Sequence, residues 1–217
     1  MTIYSAFKGD LVESRKAEDR EAVQEQLLAV VDAANSYFTA WIVAKLIVTH
    51  GDEFQGLLSL DGARQFVSIY EFFRAKLKLR LRMALGVGPL ETALQSVAIA
   101  MDGPAWHRAK YALEQAAVKG IPLHVELPSP FLTRQANLLL LVMSEIEDGW
   151  RPSHRETIAL LQQERSQEEV ARQLGITQGA VSQRLSHARW RTYQELKSAV
   201  AGILSAADIA KVPPFDH

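Results

Sequence analysis

Two apolar periods alternate along this chain, and each change of period marks a change of element. From residue 19 to 38, Val23, Leu27, Leu28, Val31 and Ala34 recur at helical spacing. "TAWIVAKLIVTH" and "EFQGLLSL" then read as two strands joined at Gly51-Asp52, with His50, Gly51 and Asp52 as turn-forming types. A helix over 63–78 carries Phe66, Ile69, Tyr70 and Phe73 on one face. "LKLRLRMALGVG" alternates Leu with Lys or Arg, which predicts a half-exposed strand. A helix opens at Pro104 and ends at Gly120, and "IPLHVELP" reads as a last strand. With a β-prone start at 2–7, the order is β-α-β-β-α-β-α-β, a mixed α/β domain over 1–128. "LPSP" at 127–130 breaks the pattern. Beyond it only helical periods remain, over roughly 131–148, 153–164, 167–174, 178–191 and 192–206. Leu138 to Val142 reads as a buried helix, and 207–217 as a loose tail.

Composition narrows the function classes. Of 217 residues, 48% are apolar, enough for a core without staples. No cysteine is present, which excludes disulfides, thiolate chemistry and Cys-bound zinc. No signal pattern opens the chain and no apolar run is long enough to span a bilayer, so a soluble, cytoplasmic protein without a membrane role is expected. The net charge of −1 argues against a polyanion binder by charge alone, but the charge is uneven. Residues 151–197 carry eight Lys or Arg against five acids, and 177–191 carry three Arg and no acid.

That basic stretch coincides with the more specific motif, "SQEEVARQLGITQGAVSQRLSHARW" at 166–190. Ser166 and Glu169 fit a capping box, Gly175 a helix end, and Thr177 the cap of a second helix. Val170, Ala171 and Leu174, then Ala180, Val181 and Leu185, supply inward faces. The pattern is that of a helix-turn-helix, whose second helix enters the major groove. Its exposed face is expected to hold Gln178, Gly179, Ser182, Gln183 and Arg184, with His187 one turn on. Gln and Arg suit base edges, Thr177 and Ser182 suit phosphates, and Arg189 and Arg191 suit the backbone of double-stranded DNA. An αα-hairpin used only for packing is the bland alternative. On the last helix, Leu196, Val200, Ile203 and Leu204 would either form a homodimer or close the helical core.

The second candidate lies in "GDEF" at 51–54. Asp10 at the end of the first strand and Asp52 at the hairpin tip would share one sheet end if those strands are neighbours. Paired carboxylates there suit Mg or Mn held together with substrate phosphates. Glu53 lies next to Asp52, and Ser14, Arg15 and Lys16 offer a hydroxyl and two cations for a triphosphate. The bland readings are a turn at Asp52 and a solvated charge run after Asp10. His107 and Trp106 favour packing over catalysis, and His124 favours a strand position over a ligand role. Gly86 and Gly88 either bend a strand or let a ligand come close.

The stretches "YSAFKGDLVESRK", "VTHGDEFQGLL", "LRMALGVG" and "DGPAWHRAK", followed by the terminal helix-turn-helix, resemble the SatD family over nearly the whole chain. More remotely, Asp10, "GDEF" and "WHRAK" make the first domain similar to GGDEF and class III nucleotidyl cyclases and to polymerase palms. His50 stands where the GGDEF signature has its first glycine. The resemblance implies a cyclase- or palm-like α/β domain with Asp10 and Asp52 as metal-binding positions, followed by an all-α helix-turn-helix domain. Two functions follow as expectations. One is a DNA-binding regulator that senses a nucleotide and metal. The other is a metal-dependent nucleotidyl cyclase or nucleotidyltransferase using Asp10, Asp52 and Glu53.

Overall fold

The computed structural model describes residues 2–16, 19–163 and 165–205. The tail expected at 207–217 lies outside them. By Cα packing the described residues divide into two compact units, one of those up to 138 together with 200–205, the other of those within 139–199.

The first unit is built on a five-stranded sheet. In chain order its elements are β1 (Ile3–Leu11), α1 (Arg20–Tyr37), β2 (Ile42–His50), β3 (Glu53–Ser59), α2 (Phe66–Lys76), β4 (Leu81–Pro89), α3 (Pro104–Lys119) and β5 (Leu123–Glu126). The strands lie in the order β2-β3-β1-β4-β5. β4 and β5 pair in parallel and every other pair is antiparallel. This is a split β-α-β arrangement with one further strand added through α3. Asp19 starts α1 by accepting from the Ala22 N–H at 2.9 Å, and Leu27, Val30, Val31 and Ala34 form its buried stripe. β2 and β3 meet through a two-residue turn whose first residue, Gly51, has φ 59, a conformation that favours glycine there.

The two faces of the sheet carry different chemistry. One holds Phe7, Phe54 and Phe73, with Phe54 and Phe73 stacked at 4.6 Å. The other holds Ala6 and Leu57 against Ala105, Trp106 and Ala109 of α3. Gly86 makes that contact possible. A Cβ there would sit 2.1 Å from the Ala109 amide nitrogen and 2.4 Å from the Ala105 carbonyl oxygen. The close approach at Gly86 is therefore to α3.

The sequence expectation of a half-exposed fourth strand is corrected. β4 begins only at Leu81, and residues 83–88 are all buried. The Leu/Lys alternation lies ahead of the strand. β4 itself is central, flanked by β1 and β5 and covered by α3. A strand covered in this way reads as a continuous apolar run.

The remaining helices are α4 (Pro130–Asp148), α5 (Pro152–Leu161), α6 (Gln167–Leu174), α7 (Gln178–His187) and α8 (Trp190–Ile203). α4 is amphipathic rather than buried throughout: Leu140 and Met143 are buried, while Leu138 and Leu141 are exposed. In the second unit, Ile158, Val170, Ala171, Val181, Leu185 and Ala188 form one core, with Trp150 and Trp190 packed against it. The helix expected over 178–191 is interrupted. The Trp150 indole donates to the Ala188 carbonyl at 2.8 Å and Arg189 takes φ 51, so α7 stops and α8 starts afresh. Among the described residues no helix is long and apolar enough to cross a membrane.

Candidate functional site

Strand register brings the first set of candidates together. Asp10 pairs with Glu53 on β3 and with Arg82 on β4, so the three stand in one cross-strand row. The Asp52 carbonyl accepts from the Leu11 N–H at 3.3 Å, tying the hairpin tip to the end of β1. Ser14, in a single 3-10 turn just after β1, donates its hydroxyl to an Asp52 carboxylate oxygen. Asp10, near the end of β1, and Asp52, in the β2–β3 turn, thus lie at one end of the sheet.

Arg82 dominates that end. Its Nε donates to Asp10 Oδ1 at 2.9 Å and its Nη2 to Asp10 Oδ2 at 2.8 Å, a bidentate fork on both carboxylate oxygens. Only 24% of its side chain is exposed and 20% of that of Asp10, so the pair is screened less than a surface ion pair. The hydrogen bonds to Asp10 hold the guanidinium pKa above its usual value, and the Asp52 charge adds to this. Two residues down β1, on the face shared with Ala6, Lys8 donates to Gln55 Oε1 at 2.7 Å. Burial pushes the Lys8 pKa down, against the pull of Glu53.

The second unit presents a different surface. Ser166 Oγ accepts from the Glu169 N–H at 3.2 Å while Glu169 Oε2 accepts from the Ser166 N–H at 2.7 Å. α6 ends at Gly175 with φ 65, and Thr177 Oγ1 accepts from the Ala180 N–H at 3.1 Å to open α7. Thr177, Gln178, Gly179, Ser182, Gln183, Ser186, His187 and Arg189 are exposed. Arg184 departs from its expected exposed position. It turns toward α5, donating to Thr157 Oγ1 at 3.2 Å with Glu156 at 3.8 Å. Arg191 is exposed and pairs with Glu195 at 2.9 Å. Of the residues expected at a dimer contact, Val200 and Leu204 are buried within the single chain, and Leu196 and Ile203 partly so.

This chain belongs to the SatD family. The family model matches residues 4–204. Among curated proteins nothing matches. Similar solved structures include three cyclase-type domains. One is a microbial GGDEF domain described in its interaction with bis-(3,5)-cyclic di-GMP, at 16% identity and TM-score 0.41, over 58% of this chain and 78% of that one. The second is the guanylate cyclase domain of RhGC from Catenaria anguillulae in complex with GTP, at 14% and 0.39, over 52% and 72%. The third is the catalytic core of a rhodopsin-guanylyl cyclase with converted specificity, in complex with ATPalphaS, at 17% and 0.38, over 52% and 72%. Likenesses of this size assign neither ligand nor activity to the SatD chain.

Ser14 and Lys16 were expected beside a triphosphate. Ser14 is engaged with Asp52, and Lys16 is exposed and paired with Glu13; the side chain of Arg15 lies outside the description. Arg82 and Lys8 were missed. Their only sequence signal was the polar alternation of their strands, which looks the same on any half-solvated strand.

A divalent cation such as Mg or Mn is what a cyclase reading requires. Among the described residues no group of three or more His, Cys, Asp or Glu is placed to hold one. Two carboxylates with substrate phosphates are a sufficient oxygen set for such an ion, and Asp10 and Asp52 are the two residues that would contribute the carboxylates. The fit carries one condition. Each Asp10 oxygen accepts one hydrogen bond from Arg82, so a cation at the remaining lone pairs would sit beside a guanidinium of like charge.

Proposed function

We propose that the sheet unit of this SatD protein binds a nucleoside polyphosphate at the Asp10–Asp52 end and serves as a cyclase- or nucleotidyltransferase-like domain. The observation that carries this reading is the convergence of Asp10 and Ser14 with Asp52 and Arg82, from three separate stretches of sequence, at one end of a split β-α-β sheet. Asp10 and Asp52 would hold Mg or Mn, which when bound would neutralise phosphate charge and polarise a phosphoryl oxygen. Arg82 suits a phosphate through its planar fork, and Lys8 adds a half-buried positive charge on the same face. Glu53, opposite Asp10, restricts the site to ligands that arrive with a cation, because its charge repels bare phosphate.

Incubating the protein with each nucleoside triphosphate and Mg²⁺ or Mn²⁺, and measuring pyrophosphate release and thermal stabilisation, tests this. The expected result is stabilisation by at least one triphosphate, lost in Asp10→Asn and Asp52→Asn. No stabilisation and no product with any triphosphate would refute it.

A second reading, for the helical unit, is supported by the capped α6–turn–α7 pair and the acid-free exposed face of α7. On it, Gln178, Ser182, Gln183 and His187 reach into the major groove of double-stranded DNA, and Thr177, Arg189 and Arg191 meet phosphates. Arg184 positions α7 against α5. Duplex binding whose affinity falls steeply with salt, and which Gln183→Ala weakens on some sequences more than on others, is the expected outcome. A protein that ignores duplex DNA at low salt removes this role.

A further inference from the structure

Arg82 is set directly across from Asp10 by the pairing of two central strands, and its guanidinium takes both carboxylate oxygens at 2.8 and 2.9 Å. The cation that the sheet end needs is therefore already present as a side chain. A metal ion arriving alone would find one lone pair of each oxygen taken and would sit beside a partly buried guanidinium whose charge repels it. Phosphate changes that balance. A guanidinium binds phosphate oxygens with the same two-point geometry it uses on a carboxylate.

We propose that Arg82 gates the site: it keeps Asp10 closed to a divalent cation until a polyphosphate offers its fork a second bidentate partner, so that cation and polyphosphate enter together. This rests on the nucleotide reading above and adds its order of assembly. Arg82 moves from carboxylate to phosphate, and the vacated Asp10 oxygens, with Asp52, receive the ion. The Asp52 carbonyl is tied to the Leu11 N–H, next along β1 from Asp10, so the fork turns within the same end of the sheet. Ser14, which donates to Asp52, keeps that second carboxylate oriented while the fork is elsewhere.

The test uses the full chain with Mn²⁺ and inorganic tripolyphosphate as probes. Melting temperature is read with neither, each, and both, and Mn²⁺ retention in the absence of phosphate is read by electron paramagnetic resonance. In the wild type, Mn²⁺ alone is not retained and does not raise the melting temperature, whereas both probes together raise it by several degrees. Arg82→Gln melts lower at the start, retains Mn²⁺ without phosphate, and is stabilised by it. Adding Asp10→Asn to that variant removes both effects. Arg82→Lys keeps the charge without the fork and retains Mn²⁺ above the wild-type level, which keeps the test open should the Gln variant fail to fold. A purely structural ion pair gives the lower starting melt but no gain of Mn²⁺ binding in either variant. That result overturns the proposal, as does wild-type protein that takes Mn²⁺ alone as readily as Arg82→Gln. The nucleotide reading fails separately, when the wild type responds neither to both probes together nor to any nucleoside triphosphate with Mn²⁺.

Discussion

The sheet end and the α7 surface are built in opposite ways. The α7 surface comes from one contiguous stretch, 166–191, where each cap and turn serves a neighbour three or four residues away. The sheet end comes from β1, the turn after it, the β2–β3 hairpin and β4. Its key contacts span 38 residues for Ser14–Asp52 and 72 for Asp10–Arg82. A surface of the first kind depends on local capping and tolerates small changes in packing. A site of the second kind exists only while the strand register holds, so anything that shifts β4 dismantles it.

The hardest test of that difference is Gly86→Val. The new side chain meets backbone atoms of α3 at 2.1 and 2.4 Å, which cannot rotate away as a side chain could. A loss of roughly 3 kcal/mol or more is expected, at the upper end of overpacking costs. The four tryptophans divide evenly, Trp41 and Trp106 in the sheet unit and Trp150 and Trp190 in the helical one. In a nitrogen–proton correlation spectrum the indole signals of the first pair should collapse. Those of Trp150 and Trp190 should persist. Loss of all four together would mean that the helical unit depends on the sheet unit.

A second test uses pH. His124 on β5 pairs in register with Ala84 on β4, and its Nδ1 has no hydrogen-bond partner among the described residues. Burial lowers its pKa from 6.5 to about 4, with Lys119 adding to the shift. The folded state therefore binds fewer protons than the unfolded one in this range. Its stability should fall as pH drops from about 6.5 toward 4 and level off below, a change of about 1–3 kcal/mol. Denaturant melts of wild type and His124→Asn across that window check this, and the variant should show a flatter profile.

Smaller effects are expected at the local surface. Thr177→Ala removes the oxygen that accepts from the Ala180 N–H and should cost about 1 kcal/mol. The loss should appear in the Trp150 and Trp190 signals and leave the sheet unit unchanged. Smallest, and opposite in sign, is Gly179→Ala. A Cβ there has only Thr177 Oγ1 nearby, at 3.9 Å, so the gain in helix propensity of about 0.5–1 kcal/mol is not opposed. A higher melting temperature for this variant, beside the collapse of Gly86→Val, would show two glycines of one chain answering to different constraints.

What the sequence determined by itself was whatever is enforced within a few residues. The Ser166–Glu169 box, the Gly175 turn, the Thr177 cap, the Pro104 start and Gly120 end of α3, and the hairpin at Gly51 were all legible, because backbone hydrogen bonds and φ preferences act locally. The family was legible as well, through its quoted stretches. Asp10 and Asp52 were legible as candidates, since both sit where a strand meets a turn. Tertiary structure alone decided their company. Arg82 meets Asp10 because β4 pairs antiparallel with β1 in one register, and a slip of a single residue would send it to the other face. The same holds for Arg184, which α5 draws inward through Thr157, and for the buried course of β4 between two strands. Periodicity reports which face of an element is apolar. It carries no information about which element lies opposite, and the charges that meet across that gap are set by packing.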